Sequence, residues 1–236
     1  MSSIATVASD KLPKELFIEL FPAVFRDDRE TVEVILADVD RIKYIDDLKR
    51  MALISCISVE MLKLFKTLGI ISDSDLNIIE HFSHLGRLDI VKYLLDENMS
   101  VENFNKIMDK AFMAAVKNGK IEIVKYILTS STPDHVFHKD SALVIFEKAC
   151  KTGFQKMVKT LLDAGLLEYI EDSEIMHTAT IVARRGNLNI VRELFGRNIV
   201  IEAFNVDNTK TPYDYIINES IRFEQNDVAD FLKTLA

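Results

Sequence analysis

"GRLDIVKYLLDEN" occupies Gly86–Asn98, and "GKIEIVKYILTSS" occupies Gly119–Ser131. "GFQKMVKTLL" from Gly153 and "GNLNIVRELF" from Gly186 continue the series, so the four glycines are 33, 34 and 33 residues apart. In every copy Val stands fifth after the glycine, Lys or Arg sixth, and apolar residues eighth and ninth. That spacing builds one apolar helix face with charge opposite it. A pattern returning at a fixed period is the mark of stacked supersecondary units.

The stretches before the glycines repeat as well. "NKIMDKAFMAAVKNG" places Ile107, Ala111, Ala114 and Ala115 at helical spacing and ends on Asn-Gly; "SALVIFEKACKTG" and "SEIMHTATIVARRG" follow the same design. Glycine at a helix end tolerates the left-handed backbone that stops the helix. Ala115, Cys150 and Ala183 put small side chains just before the glycine, where neighbouring helix pairs can approach closely. The unit reads as helix, Gly turn, helix, connector. Weaker copies extend it: "DDRETVEVIL" counted from Asp27, "ISVEMLKLF" from Ile57 and "FEQNDVADFL" from Phe223. About seven hairpins result, with turn marks at 27, 57, 86, 119, 153, 186 and 223. A lone hairpin cannot bury its apolar face, and stacking copies gives each face a partner. Ile90, Val91, Leu94 and Leu95 are therefore expected in the core.

Composition agrees with a helical protein. The chain has 236 residues, 48% of them apolar, with 7 Gly and 4 Pro, too few for a turn-rich β fold. A net charge of -8 argues against a general nucleic-acid binder. No apolar run approaches the ~20 residues of a membrane span, and the first residues do not read as a secretory signal. Cys56 and Cys150 both fall in apolar helical patterns and read as buried thiols of a reducing compartment, which makes the cytoplasm the expected location.

The period, the glycine between helices and the "G-x-x-x-I-V-K-x-L-L" second helix resemble ankyrin repeats, over residues from about 14 to the end. "NTKTPYDYI" carries the closest copy of the family's opening motif, with Thr211 and Pro212 in place, Tyr213 for Leu and Asp214 for His. Tetratricopeptide and HEAT arrays fit period and motif less well. The resemblance implies an all-α ankyrin-like solenoid of about six to seven stacked helical hairpins with short or altered β-turn fingers. It is expected as one domain over 1–236, with an irregular N-terminal capping region at 1–56, central repeats at 57–205 and a C-terminal capping repeat at 206–236. Degenerate repeats of this kind are similar to ankyrin proteins of intracellular bacteria and large DNA viruses, which implies a host-directed effector.

The resemblance also implies a monomeric, non-enzymatic scaffold that binds another protein on a concave face. Carried over position by position, the partner-binding residues are the pairs before each glycine: His84 and Leu85, Lys117 and Asn118, Lys151 and Thr152, Arg184 and Arg185. Asp207, Asn208 and Lys210 would lie at a finger tip. Lys117, Lys151, Arg184 and Arg185 are basic and none of the eight pair positions is acidic, which points to a stripe for an acidic partner. The competing explanation is plain capping, because the helix dipole favours cations in the last turn. On the stripe reading, reversing all four charges removes binding and leaves the melting temperature almost unchanged.

The alternative reading concerns "LPKELFIELFPAVF", Leu12–Phe25, which resembles the first helix of an F-box at Leu12, Pro13, Glu15, Leu16, Leu20 and Phe21 and would dock a ubiquitin-ligase adaptor. The bland reading is a capping helix with Pro13 in its first turn. No motif for a nucleophile, a phosphate loop or a zinc site is present, and no cofactor is expected. His81 and His84 share a helix face near Asp73 and Asp75, His135 and His138 lie in a turn-rich connector, and Cys150 with His177 falls on core-type helices; none makes a persuasive site. Residues 129–140 and 206–222 read as the two long connectors.

Overall fold

A computed structural model describes residues 11–72, 77–97, 101–130, 139–196 and 212–235. Among them are 14 α-helices and no strand. They run α1 (Lys14–Phe25), α2 (Arg29–Ala37), α3 (Ile45–Ser55), α4 (Val59–Thr67), α5 (Asn77–Leu85), α6 (Leu88–Glu97), α7 (Val101–Lys117) and α8 (Ile121–Ser130). Then come α9 (Lys139–Thr152), α10 (Gln155–Asp163), a short 3-10 helix (Leu166–Tyr169), α11 (Asp172–Arg184), α12 (Leu188–Phe195), α13 (Pro212–Arg222) and α14 (Asn226–Lys233). The all-α, ankyrin-like repeat of helical hairpins is what the sequence period dictated.

The chain divides into two compact units, Met1–Ala111 and Phe112–Ala236. In the first, α1 packs on α2 and α3, α3 on α5, α5 on α6, and α4 on α6. In the second, α9, α11 and α13 follow one another as one layer, and α8, α10, α12 and α14 form the layer behind. First helices thus stack on first helices and second on second within each unit.

The period-33 stripe is the core. Ile90, Val91, Leu94 and Leu95 are buried, as are Ile123, Val124 and Ile127, then Val158, Leu161 and Leu162, then Ile190, Val191, Leu194 and Phe195. Each such side chain contributes roughly 1.5–3 kcal/mol on burial. Ala115 and Ala183 are 0% exposed and Cys150 2%, so the small positions lie in the core.

The turns explain the glycines. Backbone φ is positive at Gly86 (84°), Gly119 (66°), Gly153 (74°) and Gly186 (72°), and also at Asp27 (59°) and Glu224 (60°). In five of these six turns the next N–H reaches the carbonyl five residues back: Asp28 to Ala23 at 2.9 Å, Arg87 to Phe82 at 3.0 Å, Lys120 to Ala115 at 2.9 Å, Asn187 to Val182 at 3.2 Å and Gln225 to Ser220 at 2.8 Å. This left-handed stop satisfies carbonyls that a helix end leaves open. Asp27 holds the strained conformation with its side chain engaged, its Oδ1 accepting from Ser58 Oγ at 2.5 Å.

Three sequence expectations need correction. The mark at 57 is no left-handed turn: Cys56 is extended (φ -64°, ψ 119°), and Ser58 starts α4 by accepting the Met61 amide at 3.0 Å. The mark at 223 falls one residue early, because Glu224 is the turn residue. Residues 212–222 are helix α13 rather than connector, so "NESIR" belongs to the last described hairpin itself. Of the other long connector, 129–130 and 139–140 are helical and 131–138 lie outside the described residues. Between α10 and α11 the finger is replaced by Gly165 (φ 82°), the 3-10 turn and a capping box of Glu171 with Glu174.

Candidate protein-binding edge

The turns of the second unit lie one over the next. Each time, the residue following one turn glycine or its equivalent covers the glycine before it. A Cβ on Gly119 would come within 2.7 Å of the Phe154 ring, one on Gly153 within 3.4 Å of the Asn187 carboxamide, and one on Gly186 would overlap the Gln225 carboxamide. This register brings the C-terminal ends of α7, α9, α11 and α13 to a common edge.

That edge carries the basic positions singled out in the sequence, and the structure separates them into two kinds. Lys117 and Arg185 are exposed at helix ends. Lys151 is exposed too, with Nζ 2.7 Å from Glu147 Oε2 one turn back, an i,i+4 pair of the kind worth about 0.3–0.5 kcal/mol. Arg184 differs. Its Nε donates to Glu219 Oε2 at 2.7 Å, its side chain is 34% exposed against 12% for Glu219, and its guanidinium lies 5.2 Å from the Phe223 ring centroid. Arg184 therefore ties α11 to α13, and the expectation that its reversal spares stability does not survive.

The polar members of the pairs serve the helix ends. Asn118 Nδ2 donates to the Ala114 carbonyl at 2.8 Å, and Thr152 Oγ1 donates to the Ala149 carbonyl at 2.8 Å. His84 and Leu85 end α5 in the first unit and are exposed, Leu85 at 41%. Asp207, Asn208 and Lys210 lie outside the described residues.

Two aromatic residues on the edge were not anticipated. Phe154 follows the Gly153 turn and Phe223 closes α13, each 45% exposed, with Arg222 at the same helix end, 73% exposed at its side chain. A glycine followed directly by Phe, where the other copies carry Arg, Lys and Asn, was the available signal for the first.

Among the described residues no cluster of three or more His, Cys, Asp or Glu could hold a metal ion. His81 Nε2 lies 2.8 Å from the Leu53 carbonyl; Asp73, Asp75, His135 and His138 lie outside the described residues. His177 is exposed, whereas Cys150 is buried, and burial pushes its thiol up to about 12. Burial does the same to Cys56, also to about 12. The sign follows: with the folded value raised above the ordinary 9.0, the stabilisation is complete below pH 9 and is lost as pH climbs toward 12. Both thiols should resist iodoacetamide at pH 8 in the folded chain and react fully in 6 M guanidinium, a contrast that mass spectrometry reads directly. Alkylation of the folded chain at the rate of a free thiol would contradict the burial.

At the N-terminal helix, Leu20 of the F-box-like motif is fully buried and Leu12 and Leu16 are half-buried, while Phe17, Ile18 and Phe25 are exposed. No described helix is long and apolar enough to cross a membrane.

Comparison with known proteins agrees with the fold. The family description "Ankyrin repeats (3 copies)" matches residues 112–205. An ankyrin repeat protein of Acanthamoeba polyphaga mimivirus is 25% identical over 124 residues, which cover 51% of this chain and 19% of that protein. The match thus spans about a fifth of the relative's length. No solved structure matches the chain. Ankyrin repeats generally mediate protein–protein interaction. With the period, the hairpins and the Gly-turn stack in place, these matches show ankyrin repeats over residues 112–205 and a likeness to a viral ankyrin repeat protein.

Proposed function

We propose that the chain is a non-enzymatic scaffold that holds an acidic segment of another protein against the turn edge of its second unit. The observation that carries this reading is the row of exposed Lys117, Lys151 and Arg185, interleaved with Phe154 and Phe223, on turns stacked in register. Cations supply attraction and orientation, and the half-exposed rings supply rigid apolar contact at low entropic cost. Arg184 stiffens the edge through its pairing with Glu219. The viral origin of the matched relative supports a host-directed role, with the partner a protein of the host cytoplasm. The adaptor alternative for residues 12–25 has less support, since Leu20 is spent on packing.

The test is affinity capture from eukaryotic lysate with the wild-type chain and with Lys117→Glu, Lys151→Glu and Arg185→Glu combined. Arg184 is left intact because it bears on stability. The variant should lose the captured partner while its denaturation midpoint stays nearly constant, as surface substitutions usually fall within about 0.5 kcal/mol. A partner retained by the variant would contradict the edge.

A further inference from the structure

Helix α1 packs on α2 and α3 and keeps aromatic side chains exposed. Phe17, Phe21 and Phe25 stand at i, i+4 and i+8, with ring centroids 5.4 and 6.4 Å apart. Phe17 is 45% exposed, Phe25 57% and Ile54 of α3 63%. Leu12, Phe17, Phe21, Met51 and Ile54 enclose a cleft of about 430 Å³ between α1 and α3. Among the described residues its rim holds Lys11, Lys14 and Arg50 against one carboxylate, Asp47. That carboxylate is engaged, Oδ2 accepting the Leu12 amide at 2.7 Å. Glu15, Glu19 and Asp46 do not line the cleft. An apolar floor under a positive rim defines what fits.

We propose that this cleft is a second docking site, for a helical segment of another protein that inserts an apolar face between α1 and α3 and carries acidic flanks. Charge selects the occupant. Acidic flanks meet Lys11, Lys14 and Arg50, whereas basic flanks meet repulsion. A second copy of this chain is a poor occupant, because a two-fold contact would set the same three cations against themselves. The groove-and-anchor geometry suits a helix with apolar residues at i, i+3, i+4 and i+7. This site is independent of the edge in the second unit.

The experiment uses the full chain and two fluorescein-labelled 14-residue peptides with that Leu spacing, one with Glu and one with Lys at the other positions. Fluorescence polarisation should show saturable binding of the Glu peptide, roughly three- to tenfold tighter than the Lys peptide in low salt. Lys14→Glu with Arg50→Glu should reverse the preference. Phe17→Ser should weaken both peptides, and where that variant melts early, Ile54→Ser at a more exposed position carries the same test. The Lys117→Glu, Lys151→Glu, Arg185→Glu variant should bind the Glu peptide as the wild type does. Equal binding of the two peptides, or no saturable binding, overturns the proposal. So does a dimer in sedimentation that Ile54→Ser disperses, which would make a second copy the occupant. Binding that emerges only once residues 1–10 are removed overturns it too, by making the chain's own first residues the occupant.

Discussion

Gly119→Ala should destabilise the chain by about 2–4 kcal/mol, whereas Gly69→Ala should cost only about 1–2 kcal/mol. Both glycines hold positive φ, 66° and 71°. An L-residue there pays the left-handed strain of about 1–2 kcal/mol at either site. What differs is the surroundings. A Cβ at Gly69 meets nothing within 4 Å, while one at Gly119 comes within 2.7 Å of the Phe154 ring. The ring sits on the turn of the next hairpin, so the methyl pushes one repeat against the next, an overpacking cost of about 1–3 kcal/mol. Gly186→Ala should fall between the two, because the carboxamide that covers Gly186 is the end of the flexible Gln225 side chain and can swing aside. Urea denaturation of the three variants gives the ranking through their midpoints. Equal midpoints for Gly69→Ala and Gly119→Ala would mean that the turns do not touch.

Glu219→Ala should cost about 2–3 kcal/mol, and Arg222→Ala less than about 0.5 kcal/mol. The Glu219 side chain is 12% exposed and faces two guanidinium groups, Arg184 of α11 and Arg222 of its own helix, the latter at 3.5 Å. Removing the carboxylate strands Arg184 beside the Phe223 ring with its charge partly desolvated. Breaking a buried pair from one side typically costs about 3–5 kcal/mol, and the 34% exposure of Arg184 lowers that here. Arg222 is 73% exposed at its side chain and loses little. Glu219→Gln keeps shape and one acceptor and should recover roughly half of the loss. Thermal or denaturant melts of the three variants decide the matter, and a large loss at Arg222→Ala would place the anchor on the wrong arginine. The same pair explains why a four-residue reversal that includes Arg184 would confound binding with stability.

The second-helix stripe was legible because period and apolar spacing act together, and Ile90, Val91, Leu94 and Leu95 are buried as that spacing requires. The helix stops at Gly86, Gly119, Gly153 and Gly186 were legible because only glycine adopts that backbone without strain. Asp27 and Glu224 were harder, since a non-glycine residue in the same conformation leaves no compositional mark. The α3–α4 turn escaped because two extended residues and a Ser58 cap replace the left-handed stop. Placing 212–222 in a connector failed for another reason. The polar, aromatic run "YDYIINESIR" hides a helix whose buried face is only Ile216, Ile217, Glu219 and Ser220. At the candidate edge, sequence supplied the charges. It could not supply the pairing of Arg184 with Glu219, 35 residues away, or the reach of Phe154 over the preceding glycine, because both depend on how hairpins stack.

That stacking in register is the premise of the edge, and a double-mutant cycle between Gly119→Ala and Phe154→Ala tests it most directly. Phe154→Ala removes the ring that the new methyl strikes, so it should return about 1–2 kcal/mol of the Gly119→Ala loss when the two are combined. Losses that add to within about 0.5 kcal/mol would contradict the account, for they would show that Phe154 does not lie over Gly119 and that the helix ends share no common edge.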